Sequence, residues 1–149
     1  MALPIVKGLL QQYVQSLFDE GIVNDQFLNI QTLKTVEEPD RVMQLINTYC
    51  IDVEAILLEL TSDMDLPEVN FSNMEALARQ IEEKSLYVGA GHMRLSCVGL
   101  IQACRDMQKR SISRELDWMK NEFACTRNKL QVFVQTERKI LRLERKQQK

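Results

Sequence analysis

The sequence predicts an all-α protein: an antiparallel helical bundle with a four-helix core, additional N-terminal helices and about six helices in total. Three observations carry this. Only 5 Gly and 3 Pro occur in 149 residues, whereas strands and hairpins need turn residues at short intervals, so a sandwich or barrel is excluded. The helix formers Leu, Gln, Glu, Lys, Arg and Met are abundant. Apolar residues recur at spacings of three and four along most of the chain. A chain of this length reads as one domain, 1–149, which buries roughly 68–70% of its unfolded surface and needs no metal or disulfide staple.

The elements follow in order. Val6, Leu9, Leu10, Tyr13, Val14 and Leu17 form one face of a first helix over 5–18. Asp19-Glu20-Gly21 closes it, with Gly21 free to turn left-handed. Asn24 or Asp25 caps a short helix to about Thr35 that buries Phe27, Leu28 and Leu33 or Val36. Glu37-Glu38-Pro39-Asp40 places acids and a proline in the first turn of a third helix. Val42, Leu45, Ile46, Tyr49, Val53, Ile56, Leu57 and Leu60 form its continuous stripe.

Ser62-Asp63-Met64-Asp65-Leu66-Pro67 reads as a polar loop. Ser72-Asn73-Met74-Glu75 then reads as a capping box, serine accepting a backbone amide and glutamate reaching back. The fourth helix buries Met74, Leu77, Ala78, Ile81 and Ser85 and breaks at Gly89-Ala90-Gly91. A fifth buries Met93, Cys97, Leu100, Ile101, Cys104 and Met107. The sixth runs from Lys109-Arg110-Ser111 to about Arg145, with Ile112, Leu116, Met119, Phe123, Thr126, Leu130, Phe133 and Ile140 facing inward. Their alternating steps of four and three, apart from Glu137, also suit a coiled coil, but three other long stripes need a facing surface, which favours a bundle helix.

Charge divides the chain. Residues 1–83 carry 15 acidic and 4 basic side chains, residues 84–149 carry 6 and 15, and the whole sums to −2. The basic excess peaks in the tail at Arg138, Lys139, Arg142, Arg145, Lys146 and Lys149. These cations complement the C-terminal helix dipole. With no aromatic residue among them and a pI of 5.5, no nucleic-acid partner is expected. No run approaches the about 20 apolar residues of a membrane span, and the start, Met-Ala-Leu-Pro-Ile-Val-Lys, lacks the form of a signal peptide. Cys50, Cys97, Cys104 and Cys125 form no CxxC pair and sit among apolar neighbours, as reduced core thiols do. A cytoplasmic and nuclear location is expected.

The chemistry is sparse. There is no phosphate-binding glycine loop, HExxH pair or GxSxG elbow. Asp63 and Asp65 lack the ligand series of a calcium loop. His92 is the single histidine. No catalytic residue, metal site or cofactor is expected.

Ser16-Leu17-Phe18-Asp19-Glu20-Gly21-Ile22-Val23-Asn24-Asp25-Gln26-Phe27 resembles the opening signature of the plant histidine-containing phosphotransfer proteins. The similarity continues through Pro39-Asp40, Val69-Asn70-Phe71, Val88-Gly89-Ala90, Cys97-Val98 and Leu116…Lys120-Asn121-Glu122-Phe123, covering nearly the whole chain. The resemblance implies a monomeric bundle that carries phosphoryl groups between receiver domains on one exposed histidine, in a His-Gln-x-Lys-Gly-Ser-Ser context.

Aligned on Val88-Gly89-Ala90, that context is here Arg79-Gln80-Ile81-Glu82-Glu83-Lys84-Ser85. Arg79 stands where the phosphoacceptor would be, Glu82 where the lysine would be, and Glu83 where the glycine would be. A guanidinium has no free lone pair for phosphorus and stays protonated. Glu82 would repel phosphoryl oxygens that a lysine would neutralise. Glu83 fills space that a glycine would leave open for a receiver.

The resemblance thus implies a pseudo-phosphotransfer protein. It would bind receiver domains of hybrid histidine kinases and response regulators without accepting phosphate, as a competitive negative regulator of cytokinin-type signalling. Gln26, Glu75, Arg79, Gln80, Glu82 and Glu83 are the expected docking residues. A plain surface reading stands beside this: Glu75, Glu82 and Glu83 lie at i−4, i+3 and i+4 of Arg79 and would form an exposed ion-pair network with it. Two alternatives remain. One is a helical scaffold that no longer binds receivers; the other is an active protein using His92, which follows Gly91 outside the family's motif.

Overall fold

The structure, a computed structural model, describes residues 2–147. Lys149, the last cation of the basic tail, lies outside the described residues, as do Met1 and Gln148. The helices are α1 (Leu3–Asp19), α2 (Asp25–Gln31), α3 (Arg41–Met64), α4 (Phe71–Val88), α5 (Gly91–Arg105) and α6 (Lys109–Gln147).

In α1, Pro4 occupies the first turn, where its missing N–H is no loss. Gly21, at φ +75°, turns the chain left-handed beyond the helix, and Ile22 N–H donates to Leu17 O at 3.0 Å. Asn24 caps α2 by accepting from Gln26 N–H at 3.0 Å. That helix stops at Gln31, one turn short of the expected Thr35. Successive tight turns then take over, with Leu33 N–H on Ile30 O and Lys34 N–H on Gln31 O. Two helical turns bury only one face, Phe27 and Ile30. Leu28 and Leu33 stay partly exposed and Val36 is 94% exposed.

The acids and proline before α3 form a turn outside the helix, not its first turn. Thr35 Oγ1 accepts from Glu38 N–H at 3.0 Å, and Glu38 O accepts from Arg41 N–H. The residue before a proline disfavours helical backbone, so α3 begins only at Arg41. Its stripe is buried as expected, with Leu45 half-buried. α3 also takes in Ser62-Asp63-Met64, read from sequence as loop. Thr61 Oγ1 donates to Leu57 O at 2.8 Å there, and the Asp63 carboxylate accepts from Asn73 Nδ2 at 2.8 Å.

The cap of α4 is Asn70, two residues before the expected Ser72. Its side chain accepts from Asn73 N–H at 3.0 Å. Glu75 therefore does not reach back as a capping-box partner and turns to two arginines. Gly89, at φ +79°, ends α4 and donates to Ser85 O at 3.0 Å. Met107, expected in the core, lies beyond the end of α5 at φ 52° and is 66% exposed. Every inward position named for the sixth helix is buried, joined by Val134 and Leu141.

α3, α4, α5 and α6 close a ring of four, each packed on its two neighbours, with α1 on α6 and α2 on α4. Cross-helix pairs show the antiparallel sense. Asp52 meets Lys84 and Asp63 meets Asn73 between α3 and α4. Asn47 meets Gln131 and Glu54 meets Arg127 between α3 and α6. Lys7 meets Glu144, and Tyr13 bonds Lys129 O, between α1 and α6. The all-α antiparallel bundle stands. An isolated bridge between Val23 and Ala90 ties the α1–α2 link to the α4–α5 link, with Asn24 N–H on Gly89 O and Gly91 N–H on Ile22 O, both 3.0 Å.

Candidate functional site on helix α4

α4 buries Met74, Leu77, Ala78, Ile81, Ser85 and Val88. The residues between those positions are forced outward, which brings Glu75, Arg79, Gln80, Glu82 and Glu83 to the outer side of one helix. Arg79 has 41% of its side chain exposed, and its Nε donates to Glu75 Oε2 at 3.0 Å. The other carboxylate oxygen, Oε1, accepts from Arg105 Nε on α5 at 3.2 Å. These two guanidiniums hold the Glu75 carboxyl below its ordinary range, the hydrogen bond from Arg79 being the larger cause.

Glu82 and Glu83 do not join the expected network: of the three acids, only Glu75 pairs with Arg79 among the described residues. Glu82 lies on the α5 side, where its charge adds to burial in pushing the Cys97 thiol up to about 12. Glu83 is exposed and borders a groove between α3 and α4 of about 320 Å³, shared with Leu45, Thr48, Asp52, Lys84 and Tyr87. Gln80 is exposed. Gln26 is half-buried on α2, and its amide is already committed: Nε2 donates to Tyr87 O at 3.0 Å and Oε1 accepts from Asn29 at 3.1 Å.

Under this outer face, Tyr49 of α3 and Ser85 of α4 share a buried hydrogen bond of 2.7 Å. Burial raises the Tyr49 phenol well above its usual value. Sequence reading did not find Arg105 or Tyr49 as neighbours of the site. Both are brought in by helix-to-helix contact, for which the sequence carries no local signal.

His92 stands elsewhere, in the first turn of α5 at the end of the bundle. Its Nδ1 is 3.6 Å from Glu122 Oε2, and a Cβ placed on Gly21 would stand 2.8 Å from its Nε2. The imidazole thus stands beside the α1–α2 turn and α6, with 41% of its side chain exposed. Arg79 lies ten residues before Gly89, about 15 Å along α4.

Three cysteines, Cys50, Cys97 and Cys104, are free and buried, as read from sequence. Cys125 is the exception, free but exposed, because it falls between the inward positions Phe123 and Thr126 of α6. Among the described residues no cluster of three or more His, Cys, Asp or Glu could hold a metal ion, and no helix is long and apolar enough to cross a membrane.

No family model matches the chain. Individual relatives do. Histidine-containing phosphotransfer protein 2 of Oryza sativa subsp. japonica is 30% identical over 149 residues, 99% of this chain and 100% of that protein. Pseudo histidine-containing phosphotransfer protein 2 of the same organism is 25% identical over 126 residues, 85% of this chain and 83% of that protein. A crystal structure of a histidine-containing phosphotransfer protein from maize superposes with a TM-score of 0.85 at 30% identity, covering 91% of this chain and 99% of the maize chain. With identity at that level over the full length, the chain belongs to the plant histidine-containing phosphotransfer protein family.

Proposed function

We propose that this chain is a pseudo-phosphotransfer member of its family. It acts as one domain that docks on receiver domains through the outer face of α4 and takes no phosphoryl group. By occupying receivers of hybrid histidine kinases and response regulators, it competes with active carriers and lowers flux through the phosphorelay, as a negative regulator of cytokinin-type signalling in the cytoplasm and nucleus. It works as a monomer and not as an enzyme.

One observation carries this reading. The outer-face residue aligned with the family's phosphoacceptor is Arg79, whose Nε donates to Glu75 at 3.0 Å. A protonated guanidinium offers no lone pair to phosphorus. Glu82 and Glu83, one turn on, add negative charge where a phosphoryl group would arrive. His92 stands at the end of the bundle beside Gly21 and Glu122, away from the outer face of α4 and outside the family's motif.

The test is transfer of radiolabelled phosphate from a phosphorylated receiver domain, paired with a calorimetric titration of the same receiver. Binding without stable label is the expected result. Label that disappears in His92→Ala would establish the displaced-acceptor alternative, and failure to bind any of several receivers would establish the scaffold alternative.

A further inference from the structure

α3 has one face that the bundle does not use. Its inward positions pack on α4 and α6, which leaves Thr48, Ile51, Ala55, Leu58 and Ser62 pointing away from the core. All five are exposed, Ile51 by 67% and Leu58 by 65%. Their steps are three, four, three and four, the spacing of a coiled-coil seam sustained over four turns. A helix this exposed ordinarily carries polar residues there; apolar side chains at seam spacing mark a face that another helix can cover.

Charge narrows the occupant. After Arg41, α3 carries Asp52, Glu54, Glu59 and Asp63 and no lysine or arginine. Asp52 and Glu59 flank the seam on the α4 side; Asp52 pairs with Lys84 at 3.3 Å, and Glu59 has no ion pair among the described residues. On the α6 side Glu54 meets Arg127 at 3.7 Å. A second copy lying antiparallel would set the Asp52–Glu59 edge against its own counterpart, like charge on like. A helix with lysine or arginine along that edge would meet opposite charge instead.

We infer that the outward face of α3 is a docking site for an amphipathic partner helix, which lays an apolar seam over Ile51, Ala55 and Leu58 and basic residues against Asp52 and Glu59. Ala55 at the centre lets the two backbones approach closely, and the flanking acids set partner choice, as edge charges do in paired helices. The site adjoins the outer face of α4: Thr48 and Asp52 line the groove that Glu83 borders.

The test uses two synthetic three-heptad peptides with Leu and Ile at the seam, one with Lys and the other with Glu at the flanking positions. Each is titrated by fluorescence anisotropy against the full chain and against Ile51→Ser/Leu58→Ser, whose fold is checked by circular dichroism. The lysine peptide should bind one to one, weaken with salt, and lose at least about tenfold in affinity to the double variant. The glutamate peptide should bind at least about tenfold more weakly than the lysine peptide. Equal binding of both peptides, or binding unchanged by the serine substitutions, overturns the proposal. So does sedimentation of the chain as a dimer that Ile51→Ser/Leu58→Ser converts to monomer, which would assign the face to a second copy.

Discussion

Glu75 on α4 and Arg105 on α5 stand 3.2 Å apart, Oε1 to Nε, so the acid that holds Arg79 is itself held from the neighbouring helix. The contact makes the orientation of Arg79 a property of the α4–α5 pair, not of α4 alone. Its Glu75 carboxyl lies below the ordinary 4.5, the hydrogen bond from Arg79 first among the causes. A carboxyl depressed by folding stabilises the native state fully above its unfolded value and loses that contribution as pH falls through its folded value. Glu75→Gln should therefore be less stable than the parent above about pH 5, with the gap closing on acidification below it. Urea midpoints measured across that range check this.

The Tyr49–Ser85 bond is buried on both sides, with Tyr49 3% and Ser85 0% exposed. Tyr49→Phe strands the Ser85 hydroxyl in the core and should cost about 1–3 kcal/mol. Tyr49→Phe/Ser85→Ala should cost less than the two single changes added together, because it removes both polar atoms at once. Equilibrium unfolding of the three variants gives the coupling.

Two glycines should respond in opposite directions. Gly89 has φ +79°, and a Cβ there would stand 2.9 Å from Gln26 C and Phe27 Cα. Gly89→Ala should lose more than about 1 kcal/mol and loosen the seat of α2 on α4. Gly8 lies within α1 with nothing within 4 Å of such a Cβ. Gly8→Ala should gain about 0.5–1 kcal/mol from helix propensity. Thermal melts of both decide it.

Thiol labelling should single out one cysteine of the 4. Cys125 is exposed, whereas burial pushes Cys97 up to about 12 and Cys104 up to about 11. A maleimide at neutral pH should modify only Cys125 in the native protein and all four after denaturation, read by mass spectrometry.

The triple variant Arg79→His/Glu82→Lys/Glu83→Gly tests the proposed function from the other side. It restores a lone pair, a cation and space on a frame otherwise unchanged, and should acquire stable label from a phosphorylated receiver by at least about a hundredfold over the parent, the scale on which positioned nucleophiles and charge stabilisation act. Unchanged labelling with intact folding and receiver binding would show that the loss of transfer reaches beyond these three positions.

The sequence by itself determined the helices and their inward faces. A residue's turn of 100° per step depends only on local backbone, so the stripes of the third to sixth helices could be read directly and match the buried positions, Leu45 and Met107 apart. The outward position of Arg79 follows from the same period. Helix ends were less legible, because caps compete locally: Asn70 won over Ser72, and the Thr35–Glu38 turn kept the acids outside α3.

Only the tertiary structure decided which outer residues meet across helices. It gave Glu75 a second arginine, kept Glu82 and Glu83 out of the Arg79 pair, and set His92 against Gly21 and Glu122. It also left Ile51 and Leu58 uncovered. The reason is physical: periodicity fixes the direction in which a side chain leaves its own helix, but its partner depends on the crossing angle and register of the next helix. Those are set by the packing of the whole core.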